Sequence, residues 1–195
     1  MTFKSTSRKL NLGSGEFLKE GFINVDYYSN STPDISHNLN QLPYPFENDY
    51  FERVEADHVF EHLYEPFQVM QELHRICAPE AIIHIRVPHF SRGFTHADHK
   101  RGFDVTFPYY FNPKFGPGYQ GVPLELVKMR LTWFAQPYMK KSVMPAILVW
   151  IGQGMGLAID LLANLSPWVC SRIWCYWVGG FEEIEFVFRV KKGAA

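Results

Sequence analysis

Two groups of residues in this chain have types and spacing suited to chemistry. The first is Gly13-Ser14-Gly15 followed by Asp26. Glycines directly after a strand let backbone N–H groups approach a ligand with no side chain between them. A carboxylate ending the next strand can accept both hydroxyls of a ribose. A purely structural turn and a solvated strand-end carboxylate fit the same residues. The second group is His89, His96, Asp98 and His99, imidazoles beside a carboxylate, which suit a general base acting on a hydroxyl. These types also ligate metals, but His96-Ala97-Asp98-His99 has no spacing that singles one out, and loop polarity is a third reading. We expect no metal. His62, in Glu61-His62-Leu63, either lines a site or caps a helix start, whereas His74 and His84 read as packing.

The elements that must position these residues alternate between strand and helix. Lys9 to Leu12 reads as a strand ended by the glycine turn, and Phe22 to Asp26 as a second, with only Glu16 to Gly21 between them. Further strands are expected over 34–39, 51–60 and 81–87, the last dense enough in β-branched residues to be central. Pro66 starts a helix in which Phe67, Met70, Leu73 and Ile76 recur at helical spacing, with Pro79 as its stop. After Pro113, strands are expected over 126–134 and 181–190. Val143 to Leu165 is very apolar, yet Pro145, Gln153, Asp160 and Asn164 interrupt it. We expect a buried helical cap there, with an interfacial membrane helix and a true span as the alternatives.

Composition narrows the classes further. A chain of 195 residues suits one domain with its own core, and a formal net charge of −1 gives no basic excess for tracking phosphates, so no nucleic-acid partner is expected. The three cysteines lack C-x-x-C spacing, which indicates neither a disulfide framework nor a zinc knuckle. The first nine residues have no apolar h-region, so a cytoplasmic location is expected, with possible peripheral membrane contact through 143–165.

Taken in order, Leu10-Asn11-Leu12-Gly13-Ser14-Gly15, Ile23-Asn24-Val25-Asp26, Leu42-Pro43-Tyr44-Pro45-Phe46 with Phe51, Val59-Phe60-Glu61-His62-Leu63, and Glu72-Leu73-His74-Arg75-Ile76 with Pro79 resemble successive landmarks of class I S-adenosylmethionine-dependent methyltransferases. The likeness is to their small bacterial and archaeal branch, nearly collinear from about residue 8 to residue 110, and its joint order makes it specific. It implies an α/β fold: a Rossmann-like, mostly parallel seven-stranded sheet with an antiparallel C-terminal strand at 181–190. In this one domain, 8–110 would form the cofactor core and 135–178 a helical cap insertion.

The resemblance also implies that S-adenosylmethionine lies across Asn11, Gly13, Ser14, Gly15, Asp26, Tyr27, Asn38, Leu39, Asp57 and His58. Gly13 and Gly15 would pass under its methionine and ribose portions, Asp26 would hold the ribose hydroxyls, Asn38 would face the adenine, and Asp57 and His58 would border the methionine end. Phe17 occupies the family's third glycine position, and Asn38 stands where an aspartate is common. For catalysis the candidates are His99 and His89 as base, with His62 beside them. The expected activity is methyl transfer to a small or saccharide-like acceptor, at oxygen. The rival is a non-catalytic binding module that keeps the fold.

Overall fold

The computed structural model describes residues 7–27, 32–92 and 96–193; the start of the N-terminal stretch and the Ala194-Ala195 tail lie outside them. Seven strands form one sheet: β1 (Lys9–Leu12), β2 (Ile23–Asp26), β3 (Ile35–Ser36), β4 (Phe51–Asp57), β5 (Cys77–Pro88), β6 (Leu124–Thr132) and β7 (Glu183–Val190), in the order β3-β2-β1-β4-β5-β7-β6. β1 to β5 run parallel, and β7 inserts antiparallel between β5 and β6. This is the expected Rossmann-like sheet with its antiparallel C-terminal strand.

β7 shows why the sheet holds. Ile184, Phe186, Phe188 and Val190 are all fully buried, and the alternate residues face the other side, the period-2 pattern of a strand covered unequally on its two faces. Phe186 and Phe188 meet Phe107 on the face where a 3₁₀ segment, Phe107–Phe111, supplies aromatic rings. Tyr110 and Phe111 therefore serve packing. Helix α1 (Pro66–Ile76) starts on Pro66 and buries Val69, Met70, Leu73 and Ile76. It stops before Pro79: Cys77 is already extended and opens β5, so Pro79 lies inside a strand.

β1 and β2 are parallel yet joined without a crossover helix. Side-chain amides do the work instead: Asn11 Nδ2 donates to Phe17 O (3.0 Å) and Asn24 Oδ1 (2.9 Å), and Lys19 N donates to Asn24 Oδ1 (2.8 Å). Three other strands end earlier than their residues suggest, β6 among them at Thr132. β4 stops at Asp57 because His58 takes a positive φ of 55°, and β3 is reduced to Ile35–Ser36.

The cap between β6 and β7 comprises α2 (Pro137–Lys140), α3 (Ala146–Ala163) and α4 (Pro167–Arg172). The expectation that it is buried fails. α3 lies along β6, an edge strand, and buries only Val149, Gly156, Asp160 and Ala163. α3 is long and apolar enough to cross a membrane, with a mean hydropathy of 1.7, although only 28% of it is buried.

Candidate active site

The carboxyl ends of β1, β4 and β5 converge where the strand order reverses direction, the position at which open α/β sheets bind ligands. A cavity of 1290 Å³ opens there, larger than the roughly 300–1,000 Å³ of common small-molecule pockets. One wall is the glycine turn. Gly13 has φ +67°, and a Cβ there would sit 2.4 Å from Val59 Cγ2, so no larger residue fits. Gly13 N and Ser14 N both donate to Val25 O, and Gly15 N donates to Asp26 Oδ2 (2.9 Å). Asp26 thus shapes the turn. Ser14 Oγ is buried against the cavity with no hydrogen-bond partner among the described residues.

The floor is charged. Asp57 accepts from Lys19 Nζ (2.9 Å) and Arg86 Nη1 (2.7 Å), so both its oxygens are engaged, and Lys19 also reaches Glu55 (2.6 Å). His58 lies between Glu183 Oε2 (2.9 Å from Nε2) and Glu61 Oε1 (3.4 Å from Nδ1). Burial opposes its charge, but the carboxylates of Glu183 and Glu61 outweigh burial and raise its pKa to about 9. It is an imidazolium at neutral pH.

The histidines His62, His96 and His99 line the same cavity. Lys100 N donates to Glu61 O (2.8 Å), which ties the loop holding His96 and His99 to the 3₁₀ turn Phe60–His62. His99 stacks on His96 at 4.7 Å and meets His62 edge-on at 5.1 Å, while His62 Nδ1 lies 3.0 Å from Asp98 Oδ2. Glu61 is fully buried, and its Oε1 is 4.0 Å from His99 Nε2. Glu61, His62 and His99 each place one ligand-type atom within 4.8 Å of the others, so they are the residues that could hold a metal ion.

His62, His99, Gly13, Ser14, Gly15, Asp57 and His58 all line this cavity. Asn11 borders it too, but its amide is committed to Phe17 and Asn24. Asp26, the last residue of β2, Tyr27 after it, and Asn38 and Leu39 after β3 are not part of its wall. Tyr27 is exposed, and Asn38 Oδ1 accepts from Asn40 N (3.0 Å).

His89 is a correction. It is fully buried, outside the cavity wall, with Nδ1 against Ser91 Oγ (2.7 Å) and Nε2 against Ser171 Oγ (2.9 Å). Burial lowers its pKa to about 4, Asp104 opposing and Arg172 assisting. It pins α4 to the end of β5, which removes it both as a base and as a metal ligand beside His99. Sequence reasoning passed over Lys19, Arg86 and Glu183. The alternation of β7 is the one signal that could have shown Glu183 facing the site, since Lys19 meets carboxylates 36 and 38 residues away.

No protein-family model matches the chain, and no curated protein matches its sequence. Solved structures do match its fold. A SAM-dependent methyltransferase from Archaeoglobus fulgidus is 17% identical with a TM-score of 0.52, over 96% of this chain and 87% of that one. The phosphoethanolamine N-methyltransferase 2 of Haemonchus contortus, in complex with phosphomonomethylethanolamine and S-adenosylhomocysteine, is 13% identical with a TM-score of 0.53; 98% of this chain matches 50% of that one. The [4+2]-cyclase SpnF is 12% identical with a TM-score of 0.51, over 95% of this chain and 75% of that one. Strand order, the single antiparallel strand and these likenesses give the chain the fold of the class I S-adenosylmethionine-dependent methyltransferases.

Proposed function

We propose that the chain is an S-adenosylmethionine-dependent methyltransferase that methylates a small or saccharide-like acceptor at oxygen. The observation that carries this reading is one cavity lined both by the glycine turn and by His62, His99 and Glu61. The residues present fit the cofactor. The orphaned Ser14 hydroxyl offers a ligand a polar partner, and Gly15, where an added Cβ would meet nothing within 4 Å, leaves open space beside it. Bound there, S-adenosylmethionine would supply an electrophilic methyl group and leave as S-adenosylhomocysteine.

Each residue then has a task. Gly13 and Gly15 would support the methionine and ribose portions, Asp26 would hold the ribose hydroxyls, and Tyr27, Asn38 and Leu39 would border the adenine. His58 and Asp57 would close the methionine end. His99 takes the proton from the acceptor hydroxyl, and the Glu61 carboxylate 4.0 Å from its Nε2 stabilises the imidazolium that forms. Alignment supplies most of the rate, since methyl transfer is a displacement between two groups held in line. The buried, free thiols of Cys77, Cys170 and Cys175 fit a reducing cytoplasm.

Calorimetric titration with S-adenosylhomocysteine tests the cofactor assignment: saturable binding is expected, and its absence at millimolar ligand in folded protein would refute the reading. Asp26→Ala should weaken that binding by about tenfold or more, the loss of a charge-assisted hydrogen bond. For turnover, labelled methyl transfer to a panel of saccharides should be lowered by His99→Gln roughly 10²–10⁴-fold, with cofactor affinity kept. A second reading, a binding module without turnover, is favoured by one observation: Lys19 and Arg86 already engage both oxygens of Asp57. Cofactor binding with no transfer to any acceptor would select it.

A further inference from the structure

We infer that α3 and α4 form a membrane-docking surface, on which the protein lies in the headgroup–acyl boundary of an anionic bilayer without crossing it. Ile147, Trp150, Ile151, Leu157, Leu161 and Leu165 are all more than half exposed. At 100° per residue, the exposed side chains of α3 sweep about half of its circumference. No charged residue interrupts that arc. The helix is about 27 Å long at 1.5 Å per residue, so the face is a continuous apolar ridge. Isolated exposed apolar residues need no explanation, but a contiguous ridge of this size does.

Charge and aromatic placement select the bilayer as the occupant. Between Pro137 and Trp177 the cations are Lys140, Lys141 and Arg172, and the single acid is Asp160. Asp160 is buried, Lys140 is held at the cavity by Glu182 (2.7 Å), and Arg172 is half exposed and paired with Asp104 (2.8 Å), so Lys141 is the cation the segment turns outward, and no acid of the segment is exposed to repel an anionic headgroup layer. Trp150, Trp168, Tyr176 and Trp177 are exposed along the same segment, and amphipathic rings of this kind favour the membrane interface. A second copy of the chain would need polar partners, because protein interfaces carry about one hydrogen bond per 100–200 Å². The exposed arc of α3 has only the Trp150 indole to offer.

The inner face excludes a span. Asp160 Oδ1 accepts from Trp133 N (2.7 Å), and Asn164 pairs with both Leu131 N (2.8 Å) and Leu131 O (2.9 Å) on the edge strand β6. Gly152 and Gly156 pack on Phe134, where an added Cβ would come within 2.9 Å and 3.1 Å of it. Crossing the bilayer would break these bonds and carry a carboxylate into hydrocarbon. α2, whose Tyr138 and Met139 rim the cavity, is joined to α3 by the short turn 141–145, so docking sets the cavity mouth near the headgroups.

Vesicle flotation tests this without any methyl-transfer assay. The full chain is mixed with phosphatidylcholine vesicles with and without phosphatidylglycerol, alongside the variant Trp150→Glu/Leu157→Glu/Leu161→Glu. Circular dichroism and the thermal midpoint should match in the two proteins, since the three side chains point into solvent. The wild type should float with the anionic vesicles, and the variant should partition more than about tenfold less, given roughly 0.8 kcal/mol for each methylene withdrawn. Failure of the wild type to float, or equal flotation of the variant, overturns the proposal. So does a dimer seen by light scattering that the variant dissolves while neither protein floats. Survival of the bound protein through alkaline carbonate extraction would show a spanning helix and overturn it too.

Discussion

Helices α1 and α3 are patterned in opposite ways. α1 turns Val69, Met70, Leu73 and Ile76 toward the sheet and shows Gln68 and Gln71 to water. α3 turns Asp160 toward the sheet, with Asn164 just past its end doing the same, and shows leucines and tryptophan outward. The difference teaches that the two helices are written for different surroundings. α1 is held by burial of apolar area, whereas α3 is held by hydrogen bonds to an edge strand, and its apolar side is left for something outside the chain.

The sharpest way to break this contrast is to shave one leucine from each helix. Leu73 is fully buried, so Leu73→Ala should cost about 2–5 kcal/mol through lost transfer energy and the cavity left behind. Leu161 is 72% exposed, so Leu161→Ala should stay within about 0.5 kcal/mol of wild type. Urea unfolding of both variants measures the difference. Equal costs would mean that α3 is buried in the isolated chain after all.

Next in size is the latch itself. Asn164→Ala removes both bonds to Leu131 and leaves an edge-strand N–H and C=O without that partner, a loss of about 1–3 kcal/mol. Amide hydrogen exchange should rise at Leu131 and along α3 while α1 keeps its protection. Uniform loss of protection across both helices would show that the cap and the core unfold as one unit, and the comparison would fail.

The contrast also explains what was legible in the sequence. The Gly13-Ser14-Gly15 turn, β1, the start of α1 and the alternation of β7 are local patterns, and they fold as their residues suggest. Hydropathy gave the length of α3 but not its surroundings, because a hydrophobic core and a hydrocarbon layer select the same residues. Strand ends were overrun where backbone geometry decides: His58 breaks β4 with a positive φ that its residue type does not announce. In the site, His62 and His99 were readable as neighbours of the sheet's carboxyl edge. The pairing of His58 with Glu183 spans 125 residues, and the pinning of His89 by Ser171 spans 82. Such pairings follow from the topology of the sheet, so a histidine near the right edge reads as a site residue until its hydroxyl partner is placed.

The smallest expected effect separates the hydrogen bond of the latch from its charge. Burial raises the pKa of Asp160 above its ordinary value, with the bond from Trp133 N and the nearby Arg130 opposing. A carboxyl whose folded pKa is raised adds stability that is fully present below its unfolded value and is lost as pH rises through the folded one. At neutral pH the buried charge is therefore a cost, and the Trp133 bond is what justifies the residue. Asp160→Asn keeps an oxygen acceptor for Trp133 N and removes the charge, so stability at neutral pH should lie within about 1 kcal/mol of wild type. On acidification from neutral pH the thermal midpoint of the wild type should therefore rise relative to that of the variant, the two differing only in the Asp160 contribution. A marked loss at neutral pH would instead make the ion pair with Arg130, 3.9 Å away, the main tie. The inward face of α3 would then depend on charge, and its hold on β6 would weaken with added salt while the packing of α1 would not.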